Sequence, residues 1–262
     1  MTANELKEEV LRAFILSLCL EPLAEKPGCT TRTIDSSPGT KLEYFIVSAA
    51  NSAWPFLELV DRIVTLKGQP DCVFDLAYRA QLQSTRNRSG GKVNYAQILM
   101  LLPLITAQCL LFVEGQSPHD VVLILRRARQ SMRATTIEDV EYLQRLVNLS
   151  RNLSEEHHRR LGTTRPQLYP DFTGYSTIMD AASEAKDFSH TLMATEIRDG
   201  YPWCRYAFEE LRMSGSVGLI KQSERVFRKL LPELRRPDIA ADCIAVGFYL
   251  TLIHARTEIL FP

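Results

Sequence analysis

Apolar residues in this chain recur at three- and four-residue spacing, and nowhere do they keep up a spacing of two. Leu6, Val10, Phe14 and Leu18 set the pattern, and Val140, Leu143 and Val147 repeat it, as do Ala181, Ala185, Phe188 and Leu192. Such spacing lines one face of a helix at 3.6 residues per turn, whereas a half-buried strand alternates. The sequence therefore predicts an all-α fold, a multi-helix bundle. No internal repeat and no linker-like stretch divides the 262 residues, so one helical domain over residues 1–262 is expected.

Helices are expected over 4–20 with Asn4 as N-cap, over 40–65 with a kink or break at Pro55, and over 71–83 and 93–113. Further helices are expected over 118–131, from Thr136 onward, and over 176–195, 203–213, 217–231 and 238–256. Ser117-Pro118 reads as an N-cap followed by proline at the first helical position. Residues 26–40, rich in Thr, Ser, Pro and Gly, read as a long loop; 84–91 form a polar loop ending in glycine, and 162–175 are irregular. The most apolar run, Ile98 to Val113, contains Pro103, Thr106 and Gln108 and is short for a membrane span. It predicts a buried core helix, kinked at Pro103.

Charge narrows the partners. Lys and Arg number 31 and Asp and Glu number 31, a formal balance of zero. That argues against bulk nucleic-acid binding and against a polybasic membrane anchor. With 45% apolar and 24% charged residues, the chain is neither a disordered tail, a collagen-like repeat nor a cysteine scaffold. Its six cysteines are scattered without a C-x-x-C pair, and the opening MTANELKEEV is polar and acidic. A reduced, cytoplasmic chain without a signal peptide is expected.

The familiar catalytic and metal signatures are missing: no H-E-x-x-H, no Walker loop, no G-x-G-x-x-G and no G-x-S-x-G. His157-His158 lies in the charged run EEHHRR and reads as a solvated face, and His254, in an apolar helix, reads as a core histidine. Arg126, Arg127, Arg129 and Arg133, balanced by Glu138, Asp139 and Glu141, also read as a solvated face. Two loops stand out instead. One runs Lys26-Pro27-Gly28 to Thr30, Thr31 and Arg32; the other joins Arg86, Arg88, Ser89, Gly90, Gly91 and Lys92 to Asn94. Glycine lets a backbone approach phosphate closely, a following helix offers N–H donors, and Lys or Arg adds charge. Asp35 and Glu43 lie nearby in sequence, and carboxylates beside phosphate are how Mg²⁺ is usually held.

The run from Leu20-Glu21 to Lys26-Pro27-Gly28, followed by Arg32, Asp35, Glu43, Phe45 and Ser48-Ala49, resembles the opening of the triphosphoribosyl-dephospho-CoA synthase (CitG) family. Asn94, leading into Ile98 through Leu104, resembles the family's Asn-Thr-Asn or Asn-Thr-His element and apolar helix, in the form of its archaeal and methylotroph branch. Ala194, Glu196, Asp199-Gly200-Tyr201 and Phe208 resemble its late helix pattern. The resemblance implies an all-helical transferase, Mg²⁺ as cofactor, and a phosphorylated small-molecule substrate. In the best-known members an ATP-derived ribosyl group is joined to dephospho-CoA. In the archaeal and methylotroph branch the resemblance implies displacement of diphosphate during methanofuran or methylofuran assembly. By this reading Asp35, Glu43 and Asp199 serve Mg²⁺, and Lys26, Arg32 and Lys92 serve phosphate, with Gly28 and Arg88 from the same loops. Asn94 and Glu21 orient substrate, Glu196 serves metal or substrate, and these side chains converge on one cleft.

The sequence departs from the family pattern at Lys92-Val93, at Ala96 and at His190-Thr191. Lys92 stands where the family has an amide, and His190-Thr191 stands where it has an Arg-Asp pair. Three readings stay open on the sequence: a diphosphate-displacing transferase of one-carbon carrier assembly, triphosphoribosyl-dephospho-CoA synthase itself, and a non-catalytic helical subunit. A homo-oligomer or a partner subunit is compatible with each.

Overall fold

The computed structural model describes residues 1–35, 40–88, 91–162, 170–188, 191–214 and 218–255, and among them there are helices and no strands. In chain order they are α1 Ala3–Leu20, a short 3-10 turn Glu21–Leu23, α2 Leu42–Ser52, α3 Trp54–Leu66, α4 Phe74–Ser84 and α5 Tyr95–Val113. Then come α6 Val121–Arg133, α7 Ile137–Arg160, α8 Ile178–Glu184, α9 Leu192–Asp199, α10 Pro202–Leu211, α11 Leu219–Leu234 and α12 Pro237–His254.

Two helices hold the centre. Helix α5 is buried from Gln97 to Leu111 and α12 almost throughout from Ala240 to Ile253. Both are long and apolar enough to cross a membrane by length and composition, yet each is wrapped by the other helices. A helix apolar on all faces belongs in the middle of a bundle. Helices α3 and α6 cover α5, while α1, α10 and α11 cover α12. At the α10–α12 seam a Cβ on Gly247 would stand 2.8 Å from that of Ala207, so only glycine allows this approach.

Several boundaries differ from expectation. The cap of α1 is Thr2, not Asn4; Thr2 and Glu5 bond reciprocally in a capping box. Helix α6 is capped by Asp120 rather than Ser117, because one carboxylate reaches both Val122 N–H and Leu123 N–H, at 2.9 and 3.1 Å. The chain breaks at Ala53 to give α2 and α3, with Pro55 in the first turn of α3, and α5 runs unbroken through Pro103. The helix expected over 176–195 is two. Ala185 turns extended, Asp187 is left-handed at φ 63°, and Thr191 caps a new helix by accepting from Ala194 N–H at 3.2 Å. His190, Ser89 and Gly90 lie outside the described residues. His254 is exposed rather than core, edge-on to Phe208 at 5.5 Å.

Candidate active site

A cleft of about 920 Å³ opens where the loop after α1, the starts of α5, α9 and α12, and the middle of α7 meet. Its charged lining has both signs: Lys92 and Arg236 against Glu21, Asp187, Asp238 and Asp242. Local sequence explains how these groups are held. After α1, the Glu21 carboxylate is buried and lies 3.1 Å from Lys26 Nζ. Lys26 also donates to the carbonyls of Glu21 and Ala24, tying the loop into a tight knot. Burial pushes the Glu21 carboxyl above its ordinary pKa, and Lys26 pulls the other way.

Gly28 then brings the loop onto α12. Its φ is +84°, and a Cβ there would stand 2.9 Å from Pro237. Glycine is the one residue that meets both demands without strain. One turn into α12, Asp238 and Asp242 share a face at i, i+4. Burial first, then Asp238 and Glu21, holds the Asp242 carboxyl well above the usual range, while Arg236 and Lys92 oppose the rise. Asp242 therefore feels acids from α12 itself and from the turn after α1, and cations from the cap of α12 and from the loop before α5. The neighbouring Cys29 thiol is pushed up to about 12 by burial, with Glu21 adding to it, and is no nucleophile at neutral pH.

Asn94 occupies the left-handed region at φ 57° at the start of α5, a conformation asparagine tolerates. Its amide donates to the Phe45 carbonyl at 3.2 Å, while its buried Oδ1 has no hydrogen-bond partner among the described residues. Beside it, Lys92 Nζ lies 5.2 Å from the centre of the Tyr95 ring.

Of the residues expected at one cleft, Glu21, Gly28, Lys92 and Asn94 line it, and Lys26 stands behind Glu21. The others are elsewhere. Arg32 is exposed and bonds Glu25 at 3.2 Å; Asp35 is exposed; Glu43 is exposed, 3.8 Å from Lys41. Arg88 staples its own loop, donating to the Ser84 and Gly91 carbonyls at 2.5 and 2.8 Å, and burial lowers its pKa to about 10. Glu196 caps α10 by accepting from Trp203 N–H at 3.1 Å and Cys204 N–H at 2.9 Å. Asp199 pairs with Arg198 at 2.8 Å on the surface. Within the Asp-Gly-Tyr run, Tyr201, at φ 63°, is fully buried and donates its hydroxyl to the Met100 carbonyl at 3.1 Å.

The acids that do reach the cleft from α12 carry a readable signal, two aspartates at i, i+4 in the first turns of an otherwise apolar helix. Together with Glu21 they are hard oxygen donors of the kind that hold Mg²⁺ alongside substrate phosphates. Among the described residues the one close trio of ligand-type atoms is Glu196, Cys204 and Cys243, all fully buried and within 4.8 Å of each other. Its carboxylate is already committed to the α10 cap.

Such a cleft on an all-helical frame defines a class: a helical protein whose cleft is lined by charges of both signs. Within that class the chain belongs to the CitG family, whose profile, described as ATP:dephospho-CoA triphosphoribosyl transferase, matches residues 7–232. The fold is shared with a crystal structure from Archaeoglobus fulgidus described as a candidate triphosphoribosyl-dephospho-CoA synthase. The TM-score is 0.51 at 19% identity, over 80% of this chain and 98% of that one. No protein of curated function matches the chain.

Proposed function

We propose that the cleft is the active centre of a Mg²⁺-dependent transferase acting on a phosphorylated small molecule, and that its reaction displaces diphosphate. Lys92 is the observation that carries this reading. A cation stands at the cleft where the resembling family element has an amide, placed to balance charge gathering on a departing group. Arg236 adds a second positive charge from the start of α12. Glu21, Asp238 and Asp242 would hold Mg²⁺, which when bound draws charge from phosphate oxygens. Asn94 would orient the substrate through its unpartnered oxygen, an acceptor awaiting a donor. Among chemistries of this kind, assembly of a one-carbon carrier of the methanofuran or methylofuran type is the assignment we favour. A second reading, transfer of an ATP-derived ribosyl group to dephospho-CoA, is supported by the family description and by a cleft roomy enough for a large ligand.

Two incubations separate the readings. With Mg²⁺ and an aminomethylfuran diphosphate plus a tyramine or tyrosine acceptor, the favoured reading expects diphosphate release that Lys92→Gln slows sharply. With ATP and dephospho-CoA, the second reading expects adenine release. Release of neither product would remove both.

A further inference from the structure

On another face of the molecule lies a smaller groove of about 330 Å³ between α6 and the start of α10. Arg126, Arg129 and Arg133 line one wall, spaced i, i+3 and i+7 on α6, and Arg205 faces them from α10. Val122 and Leu125 give it an apolar side. It shares no lining residue with the large cleft. The run that reads as a solvated face in the sequence thus divides: Arg127 turns away to Glu114 at 2.6 Å, and the other three gather in the groove.

Guanidinium groups stay charged at any physiological pH, so four in one groove repel one another unless anions intervene. No carboxylate among the described residues forms an ion pair with any of the four. Asp199, at the edge, is engaged first by its partner Arg198, and Arg129 affects it only at longer range. The first amides of α10 are taken by Glu196, so the positive charge here is the arginines' own.

We propose that this groove is a second anion site, taking the di- or triphosphate group of a small molecule independently of the cleft. Planar guanidinium forks suit phosphate oxygens, and the groove's volume is of small-ligand size, not the broad surface an acidic protein partner would need.

The test is calorimetric titration of the whole chain in EDTA, where the cleft's carboxylates, without metal, repel a polyanion. Inorganic triphosphate should bind with an affinity that falls steeply with added salt. R129Q/R133Q should weaken it tenfold or more, and Arg205→Gln, on the opposite wall, should weaken it comparably. ATP binding more tightly than triphosphate would mark a nucleotide seated on Val122 and Leu125; equal binding would mark the phosphates alone. Arg129, Arg133 and Arg205 are exposed, so circular dichroism should be unchanged in the variants. Absence of binding by the unaltered chain, or unchanged binding in both variants, would overturn the proposal. So would binding of poly-glutamate without triphosphate.

Discussion

Lys26 Nζ stands 3.1 Å from a Glu21 carboxylate oxygen, and both side chains are closed off from water. A pair of this kind is weak evidence of net stabilisation, but breaking it is costly, because one charge is left buried alone. Lys26→Met should therefore destabilise the fold by about 3–5 kcal/mol at neutral pH. The deficit has a pH sign. Burial raises the Glu21 pKa in the folded state, so the folded form binds its proton more tightly than the unfolded chain does. Stability tied to that proton is complete below the unfolded value, about 4.3, and is lost as pH rises through the folded value. The Lys26→Met deficit should thus shrink in acid and grow toward neutrality, as urea titrations across pH would show. Glu21→Gln in the same chain should recover part of the loss.

Asp242 makes a related prediction for the α12 side of the cleft. Its folded pKa is raised by burial, Asp238 and Glu21. In metal-free buffer the melting temperature should fall as pH rises from about 4 through that raised value, and Asp242→Asn should flatten the curve. Identical pH profiles for the two proteins would contradict the crowding of acids at this point.

Gly28→Ala tests the joint between loop and helix. The new Cβ meets Pro237 at 2.9 Å from a backbone already at φ +84°. A cost of about 1–3 kcal/mol is expected by chemical denaturation, with turnover falling because the loop that carries Glu21 into the cleft is pushed off the start of α12.

Lys92→Gln should keep the fold, since the side chain lines an open cleft, and should lower turnover by about a hundredfold or more. Steady-state kinetics with the diphosphate substrate checks this. A loss confined to KM would assign Lys92 to ground-state binding instead.

Diphosphate with Mg²⁺ should raise the melting temperature of the unaltered chain, because a ligand bound only to the folded form adds about 2.7 kcal/mol at a hundred times its Kd. Differential scanning calorimetry on Asp238→Asn should show the rise reduced. No rise in the unaltered chain would favour a helical subunit that kept the fold without the chemistry.

The helical fold could be read from the sequence because burial is periodic along each helix. Leu6, Val10, Phe14 and Leu18 are all buried on one side of α1, and the apolar run in α5 is core throughout. Boundaries were harder wherever a cap competed with a nearby alternative. Asp120 won over Ser117 because its carboxylate satisfies two amides, and Asp187 ended what the apolar spacing continues through Phe188 and Leu192.

The site divided along the same line. The sequence alone determined that the chain is helical, that glycine and cations gather near 26–28 and 92, and that Glu21 and Asn94 accompany them. Those residues sit in or beside loops, where local chemistry is visible in consecutive letters. Which acids complete the cleft was decided only by packing. Asp35, Glu43 and Asp199 are near the loops in sequence or in family pattern, yet they face solvent, while Asp238 and Asp242 arrive from the other end of the chain. Gly28 against Pro237 makes that meeting, a contact between residues more than two hundred positions apart, and no local spacing encodes it. The zero net charge behaves likewise: both signs are counted in the sequence, but only the folded chain puts them into one cleft and leaves four arginines together in another groove.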